Sequence, residues 1–324
     1  TDAEVATVCK ALNSAPGVVE VDLSYNRIGD EGALAIAEML RRNTAVQFIS
    51  LAHNDIGPEG CRAIADALML NMTVVGVNLR GNPIGEAGGT ALATMLRGNN
   101  TIVSLDIGSC EISVRALLSL CLALTTHPAL CSLKIDKPLL KQPQDMHTIV
   151  QHLSATLSQN QVLAELSMDH FGLGDDHIAL LVPALVKNES LRVLSFAGNK
   201  LSMEGGSLVA KVLSRRLDIV SINLDGNAID DDGAAAMAIV LRTHPAIERM
   251  CLRTNRIGDR GLAALAEGVR VSRSLRQLYL WGNRFESGAA DAFHRVAKKL
   301  EALEDTDFEL YNVDGTFMVC QRND

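Results

Sequence analysis

Short runs in which apolar and polar residues alternate recur along the chain in a fixed frame. The run at 278–283 reads LYLWGN, and the frame is repeated in VDLSYN at 21–26, ISLAHN at 49–54, VNLRGN at 77–82, LDIGSC at 105–110, LKIDKP at 133–138, LSMDHF at 166–171, LSFAGN at 194–199, INLDGN at 222–227 and MCLRTN at 250–255. Successive runs are 28 residues apart, except for one step of 33. Such alternation predicts a short strand with one buried face in each repeat.

Each run is followed by apolar residues at helical spacing, as in ALAIAEML at 33–40. Five Asn residues stand where these helices should end, in a left-handed cap conformation that Asn tolerates: Asn43, Asn71, Asn99, Asn160 and Asn188. His-Pro occupies the same place at 127–128 and 244–245, since Pro cannot continue a helix. The Asn that closes each run is expected to point inward and to hydrogen-bond to backbone groups.

A single strand and helix cannot bury their apolar faces, whereas a stack of identical units can. A helix with its side chains is about 10 Å wide and neighbouring strands are about 4.8 Å apart, so the stack should curve. We therefore expect an α/β fold, a horseshoe-shaped solenoid of about ten repeats with an inner parallel sheet and outer helices.

The frame LxLxxNxIGxxGxxxLAxxL resembles the ribonuclease-inhibitor type of leucine-rich repeat, the long intracellular variety, from about Val18 to Leu303. This resemblance implies a solenoid that binds other proteins, although the family serves many different partners. Residues 1–17 are expected to form an N-terminal capping helix, 18–303 the solenoid and 304–324 a C-terminal cap.

The cap alternates apolar and polar residues around Asp314-Gly315, which predicts a β-hairpin from Phe308 to Val319 over the edge of the last repeat. This tail also resembles the end of leucine-rich repeat-containing protein thirty-four, a family with ciliary and nucleolar associations.

Charge and cysteine content restrict the kind of partner. The net charge is −8, whereas nucleic-acid binding relies on clustered Lys and Arg, so no nucleic-acid partner is expected. No apolar run approaches the eighteen or so residues that span a bilayer, so no membrane insertion is expected. The seven cysteines are odd in number and lack CxxC spacing, which is typical of reduced thiols inside a cell. We expect an intracellular, cytoplasmic protein, with cytoskeletal, ciliary and nuclear locations left open.

Motifs of catalysis are absent from the sequence, which has no GxxxxGK[ST], GxSxG or HExxH, so a non-enzymatic protein without cofactor or metal is expected. The acidic pairs at 30–31, 175–176 and 231–232 recur at predicted helix starts, where carboxylates cap free N–H groups. The densest ligand-like cluster, at 169–170 and 175–177, is divided between the sheet and the following helix start.

If strand side chains alternate, the residues between the buried leucines point outward onto the concave sheet. Tyr, Trp and Arg, which are enriched at binding hot spots, concentrate among these positions near the C-terminal end. The predicted protein-binding residues are Tyr25, His53, Arg80, Asp169, His170, Asp225, Arg253, Tyr279 and Trp281. Trp281 is the only tryptophan of the chain, and its competing assignment is packing beneath the cap against Phe308 or Tyr311.

The 33-residue step places five extra residues in DKPLLKQPQDMHTI at 136–149. Two interpretations stay open: a tolerated insertion, or a protruding loop that contacts a partner through Lys134, Lys137 and Lys141.

The most direct hypothesis is a scaffold or adaptor that holds a protein of unknown identity on the concave sheet and C-terminal rim. One alternative is a regulator of small GTPases that resembles the Ran GTPase-activating proteins. The TGR-like segment of that family does not occur in the corresponding loop here, Asn26 to Gly29. A second alternative is the ligand-sensing segment of a larger protein. The oligomeric state is left open.

Overall fold

The computed structural model describes residues 1–15 and 17–322; residues 16, 323 and 324, which fall within the predicted caps, lie outside the described part. The chain divides into two units, Thr1–Met168 and Asp169–Asp324, and each is described by itself.

In the first unit a helix and a three-residue strand alternate. The elements are α1 Asp2–Asn13, β1 Glu20–Asp22, α2 Asp30–Arg42, β2 Phe48–Ser50, α3 Pro58–Leu70, β3 Gly76–Asn78, α4 Gly85–Gly98, β4 Ser104–Asp106, α5 Val114–Thr126, β5 Ser132–Lys134, α6 Pro143–Leu157 and β6 Glu165–Ser167. The strands pair in parallel in chain order, and the register joins equivalent residues, as in Val21 with Ile49.

The second unit continues the alternation and ends in a different substructure. Its elements are α7 Asp175–Lys187, β7 Val193–Ser195, α8 Met203–Arg215, β8 Ser221–Asn223, α9 Asp231–Thr243, β9 Arg249–Cys251, α10 Asp259–Val271, β10 Gln277–Tyr279, α11 Ser287–Arg295, α12 Ala297–Glu301, β11 Asp305–Thr306, β12 Phe308–Val313 and β13 Thr316–Gln321. Strands β7 to β11 are parallel in chain order, again with equivalent residues paired. The repeated strand–helix unit confirms the predicted α/β solenoid.

The core lies between the sheet and the helices. In the second repeat, the apolar residues of the frame and of the helix that follows are at most 2% exposed: Ile49, Leu51, Ile56, Ile64 and Leu68. Burial of each such side chain stabilises the fold by about 1.5–3 kcal/mol, which explains why the frame is kept along the chain.

The same repeat spacing also places one Asn of each complete frame inside the turn. The side-chain amide of Asn54 donates to the carbonyl oxygens of Leu23 (2.9 Å) and Leu51 (3.0 Å) and accepts from the Ile28 amide (3.1 Å). The predicted inward Asn is therefore confirmed. Where Cys110 replaces it, the thiol donates to the carbonyl of Leu79 at 3.0 Å.

The helix ends differ from the left-handed caps that the sequence suggested. Asn43 is extended, with φ −77° and ψ 128°, and its side-chain oxygen accepts from the amides of Ala45 and Val46. His127 does the same with its ring, since Nδ1 accepts from the amides of Ala129 and Leu130 and Nε2 bonds to the carbonyl of Asn99. The cap therefore works through the side chain, which Asn and His can both supply.

The acidic residues at helix starts also act differently from the expectation. Asp30 accepts from the amides of Gly57 (2.8 Å) and Gly60 (2.9 Å), at the start of the next helix in the chain. Asp231 bonds in the same way to Gly258 and Gly261. These carboxylates thus join neighbouring helices, in addition to lying in the first turn of their own helix.

The end of the second unit contains a further strand that the repeat frame had not included. β11 at 305–306 pairs with β10, so the sheet continues before the predicted hairpin begins. The hairpin β12–β13 forms a separate antiparallel sheet, with Phe308 opposite Gln321 and Val313 opposite Thr316. It does not extend the edge itself; Phe308 instead packs its ring on Phe285 and Phe293 near α11.

Candidate functional site

The helix-free face of the sheet carries the polar residues of the frame, because the apolar residues of the strands face the helices. Only Tyr279 of the nine predicted binding residues lies within a strand. The others stand in the turn that follows a strand, either two residues beyond its end, as in Arg80, Asp169, Asp225, Arg253 and Trp281, or three residues beyond it, as in Tyr25, His53 and His170. Strand alternation alone therefore did not describe their geometry.

The first unit contains a cluster formed by Arg80, Asp106 and Asp136, which we call the Arg80 cluster. The guanidinium of Arg80 lies 2.6 Å from the carboxylate of Asp136 and 3.6 Å from that of Asp106. Asp136 is 4% exposed and also accepts from the hydroxyl of Ser167 at 2.6 Å. Arg80 reaches this carboxylate across Gly108, where an added Cβ would lie 2.5 Å from the guanidinium.

The second unit contains a counterpart with aromatic walls, formed by Asp225, Arg253, Tyr279, Trp281 and Asp307, which we call the Arg253 cluster. The guanidinium of Arg253 donates from Nε to Asp307 at 2.6 Å and lies 3.8 Å from Asp225. The same guanidinium stands 4.1 Å from the centre of the Tyr279 ring, a cation–π contact.

Asp307 fixes the backbone beneath the aromatic residues of this cluster. Its carboxylate accepts from the amides of Leu280 (2.8 Å) and Trp281 (3.1 Å), while the side chain is only 9% exposed. The Tyr279 hydroxyl donates to Asp305 at 2.7 Å. Two carboxylates of the C-terminal segment thereby hold the side chains of Arg253 and Tyr279, which come from successive repeats, and the backbone amide of Trp281.

A cavity of about 210 Å³ opens beside the Arg253 cluster. Its lining joins the sheet face to the end of the hairpin: Arg253, Thr254, Tyr279, Trp281, Asp305, Thr306, Asp307, Gln321 and Arg322. Trp281 is half-buried at this cavity, whereas the Phe308 ring packs with two other phenylalanines. The C-terminal segment lines the same cavity, but neither Phe308 nor Tyr311 is among the residues that line it, and the competing assignment for Trp281 stays a prediction.

Burial changes the acidity of two groups in this cluster. It raises the pKa of Asp225 to about 6, although the Arg253 amide and guanidinium oppose the shift. Burial together with the hydrogen bond to Asp305 raises the pKa of Tyr279 to about 12, so the phenol stays neutral. The cluster therefore contains one carboxyl group that titrates near physiological pH.

Tyr25 and His53 form a separate aromatic pair in the first unit. Their rings are stacked with centres 4.6 Å apart and planes inclined by 15°. In the second unit, Asp169 accepts from the Ser195 hydroxyl and the Ala197 amide, and the His170 ring lies against Gly198. Tyr25 and His53 thus contact each other, whereas Asp169 and His170 each contact the following repeat.

The three lysines of the insertion have different surroundings. Lys134, the last residue of β5, lies 3.3 Å from the Glu165 carboxylate. Lys137 is exposed with a left-handed φ of 50°, and Lys141 is exposed where its amide bonds to Asp145. Their role as a partner-contacting loop stays a prediction.

Sequence reasoning missed Asp136, Asp305 and Asp307 as organisers of the two clusters. A further step of 28 residues from LYLWGN reaches TDFELY at 306–311, where Thr306 and Phe308 occupy the buried apolar positions and Asp307 the outward one. Extending the frame by one repeat would have found Asp307. The partner of Arg80 lies two repeats away, a distance at which the frame assigns no contact.

Within 1–15 and 17–322, no group of three or more His, Cys, Asp or Glu side chains is arranged to hold a metal ion. The helices of this part are too short or too polar for any of them to cross a bilayer.

Comparison with known proteins agrees with the repeat architecture. The family described as Leucine Rich repeat matches residues 18–37, 42–65, 70–93, 98–121, 187–210 and 219–238. Leucine-rich repeat-containing protein 34 of Mus musculus is 32% identical over 100 residues, which cover 31% of this chain and 24% of the mouse protein. The matched stretch thus spans about a quarter of that relative.

A solved structure described as Leiomodin-1 Actin-Binding Site 2 (ABS2) is 22% identical, with a TM-score of 0.36, over 57% of this chain and 87% of that chain. At this TM-score no argument about a partner follows from the likeness. The ribonuclease-inhibitor subtype stays an expectation. The matched segments are leucine-rich repeats, and the recurrent strand–helix units show that the fold is a leucine-rich repeat solenoid.

Proposed function

We propose that this protein is a non-catalytic scaffold or adaptor that holds a protein partner on the helix-free face of its sheet, with the Arg253 cluster as the principal contact. The observation that carries the proposal is the cation–π contact of Arg253 and Tyr279 beside half-buried Trp281 at the 210 Å³ cavity. Tyr, Trp and Arg are the residue types that most often dominate binding energy when they line a pocket.

Preorganisation supports the same proposal. Because Asp307 holds both the guanidinium and the amide of Trp281, the aromatic walls keep their positions before a partner arrives. Fewer side chains must then be ordered on binding, and the entropy cost of association is lower. Each charged or phenolic group of the cluster has a partner within this protein, whereas the indole of Trp281 lines the cavity, so the partner is expected to insert an uncharged side chain against the indole.

The test uses Trp281 as its own reporter, since it is the only tryptophan. Partners cross-linked to the protein in cells are purified and then titrated into it while indole fluorescence is recorded. A partner of this site should change the emission and should bind Trp281→Ala and Arg253→Ala at least about tenfold more weakly, as for hot-spot residues.

Two variants serve as matched controls. Tyr311→Ala removes an aromatic side chain of the hairpin that is 42% exposed, and Arg260→Ala removes an arginine that is 71% exposed. Both should bind the partner like the original protein. If Trp281→Ala and Arg253→Ala bind as well as these controls, the principal contact lies elsewhere. Stimulated hydrolysis of GTP in a panel of small GTPases would instead favour the regulatory alternative.

A further inference from the structure

The third residue after each of the strands β1 to β10 adopts a left-handed backbone conformation, and we call this position the turn slot. Its φ lies between 48° and 85° at Tyr25, His53, Gly81, Ser109, Lys137, His170, Gly198, Gly226, Thr254 and Gly282. A left-handed φ is unfavourable for a residue with a Cβ atom, most of all for a bulky one, whereas Gly adopts it freely. Gly occupies the slot in four repeats, so the fold does not require Tyr25.

Side chains in the turn slot lie against the same slot of the next repeat. A Cβ atom added at Gly81 would be 2.6 Å from Nδ1 of His53, and one added at Gly198 would overlap the His170 ring. Tyr25 follows this rule, because its ring stacks on that of His53. His53 is thus covered by Tyr25 on one face and by Gly81 on the other.

Tyr25 is the uncovered end of this stack. Its side chain is 80% exposed even though one ring face rests on His53. Most of the apolar surface of the ring therefore stays in water, and the contact with His53 recovers little of the backbone cost. A strained backbone that presents an exposed aromatic ring is better explained by a ligand for that ring than by folding.

The charges around Tyr25 favour a cation as that ligand. Hydrogen bonds from the hydroxyl and amide of Ser24 lower the pKa of Asp22, so this exposed carboxyl is ionised at neutral pH. Asp55 is exposed in the loop that follows His53, and Glu31 is exposed in the first turn of α2, whereas Arg27 is the exposed cation of the loop that follows Tyr25. The protein as a whole carries a net charge of −8.

We propose that the open face of Tyr25, supported by His53, is a stacking platform for an arginine side chain of a protein partner. A planar guanidinium can lie flat on the phenol ring while its edges reach carboxylates, which the compact ammonium group of lysine does less well. Arg253 already makes such a contact with Tyr279 inside this protein, 4.1 Å from the ring centre. The inference deepens the proposed function by adding a second contact of defined chemistry.

The experiment follows the tyrosine rings by NMR, because the chain has only three: Tyr25, Tyr279 and Tyr311. Protein with labelled tyrosine is titrated with a peptide of alternating Gly and Arg, and separately with matched Gly-Lys and Gly-Glu peptides. The Tyr25 signals should shift with the arginine peptide, and less with the lysine peptide. Tyr279, already covered by Arg253, and Tyr311, exposed on the hairpin, serve as internal controls.

Variants separate recognition from folding. Tyr25→Phe should keep the affinity within about twofold, whereas Tyr25→Gly should weaken it at least about threefold with an unchanged or higher Tm. Tyr25→Asn, which also tolerates the left-handed region, repeats the test if the glycine variant folds poorly.

The proposal is overturned if Tyr25 shifts no more than Tyr311, or if the lysine peptide binds as well as the arginine peptide. It is also overturned if adenosine monophosphate, a flat aromatic probe, shifts Tyr25 more strongly than the arginine peptide does. Because the readout is at Tyr25 while the partner experiment reads Trp281, either contact can fail while the other holds.

Discussion

The Arg80 and Arg253 clusters begin from a similar arrangement and differ in the residue 28 positions after each arginine. Each has an arginine two residues beyond a strand and two carboxylates, one from an adjacent repeat and one from two repeats further along the chain. The residue 28 positions after Arg80 is Gly108, and the residue 28 positions after Arg253 is Trp281. Glycine leaves a path by which Arg80 reaches buried Asp136, whereas Arg253 lies over the Tyr279 ring and bonds to Asp307. The first cluster joins its repeats through ion pairs, and the second is proposed to bind a partner.

This comparison predicts that arginine removal will destabilise the first unit more than the second. Arg80→Ala leaves Asp136, which is 4% exposed, without its charged donor, and should lower the free energy of unfolding by about 3 kcal/mol. Arg253→Ala should cost about 1 kcal/mol, because Asp307 keeps two backbone donors. Urea unfolding followed by circular dichroism measures both. The exposed pair variant Arg62→Ala is the control, and equal losses for Arg80 and Arg253 would refute the distinction.

A smaller loss of stability is expected from substitution of Gly108, the glycine past which Arg80 reaches Asp136. Gly108→Ala places a Cβ atom 2.5 Å from the guanidinium and should lower stability by about 1 kcal/mol. The backbone itself tolerates alanine there, since Ala52 and Ala197 occupy equivalent positions. In an Arg80→Ala background the Gly108→Ala cost should therefore disappear, which a double-mutant cycle by urea unfolding measures. If Gly108→Ala lowers stability by the same amount in the Arg80→Ala background, the strain lies in the backbone and not in the contact with the guanidinium.

Each unit also contains one buried histidine cap, so acid should weaken both. Burial lowers the pKa of His127 and of His244 from 6.5. The unfolded chain then binds protons more readily than the folded one, so stability is complete above about pH 6.5 and declines as pH falls through the lowered folded pKa. Unfolding midpoints should decrease between pH 7 and pH 5.

Asparagine replacement provides the control for this acid effect, because Asn fills the same cap in five other repeats. His127→Asn and His244→Asn should each make the unfolding midpoint less dependent on pH, while leaving it nearly unchanged at pH 7.5. A double variant that retains the full acid sensitivity would show that other groups cause it.

The smallest expected effect is a change in Trp281 fluorescence caused by the titration of Asp225, a carboxyl group of the Arg253 cluster. Its folded pKa, raised by burial to about 6, lies above the usual value of 3.8, so ionisation disfavours the folded state and this penalty is relieved as pH falls through 6. Protonation also removes one carboxylate from Arg253. Trp281 emission should accordingly change with a midpoint near pH 6.

Asp225→Asn should abolish that transition, since the amide oxygen can still accept the Arg253 amide without ionising. Asp106→Asn, in the first unit, is the matched control and should leave the Trp281 titration unchanged. A transition that survives Asp225→Asn would assign the change in emission to another titrating group.

The solenoid was predictable because its information is local and repeated. The alternation in LYLWGN and its equivalents specifies a strand with one buried face, and the turn Asn is recognisable by its position. Strand length was harder to predict, since each of the strands β1 to β10 ends after three residues and the polar residues beyond it enter a turn. Tyr25, His53 and His170 were consequently placed correctly on the outward side of the frame and incorrectly within strands.

The sequence by itself determined the repeat, the buried positions and the set of residues available on the sheet face, because burial of apolar residues at a fixed period admits one stacking scheme. Only the tertiary structure decided which of those residues meet. Arg253 and Asp307 are 54 positions apart, yet their side chains meet at 2.6 Å across the repeat that carries Tyr279 and Trp281. Side-chain reach across two repeats is a property of three-dimensional packing, and no single repeat encodes it.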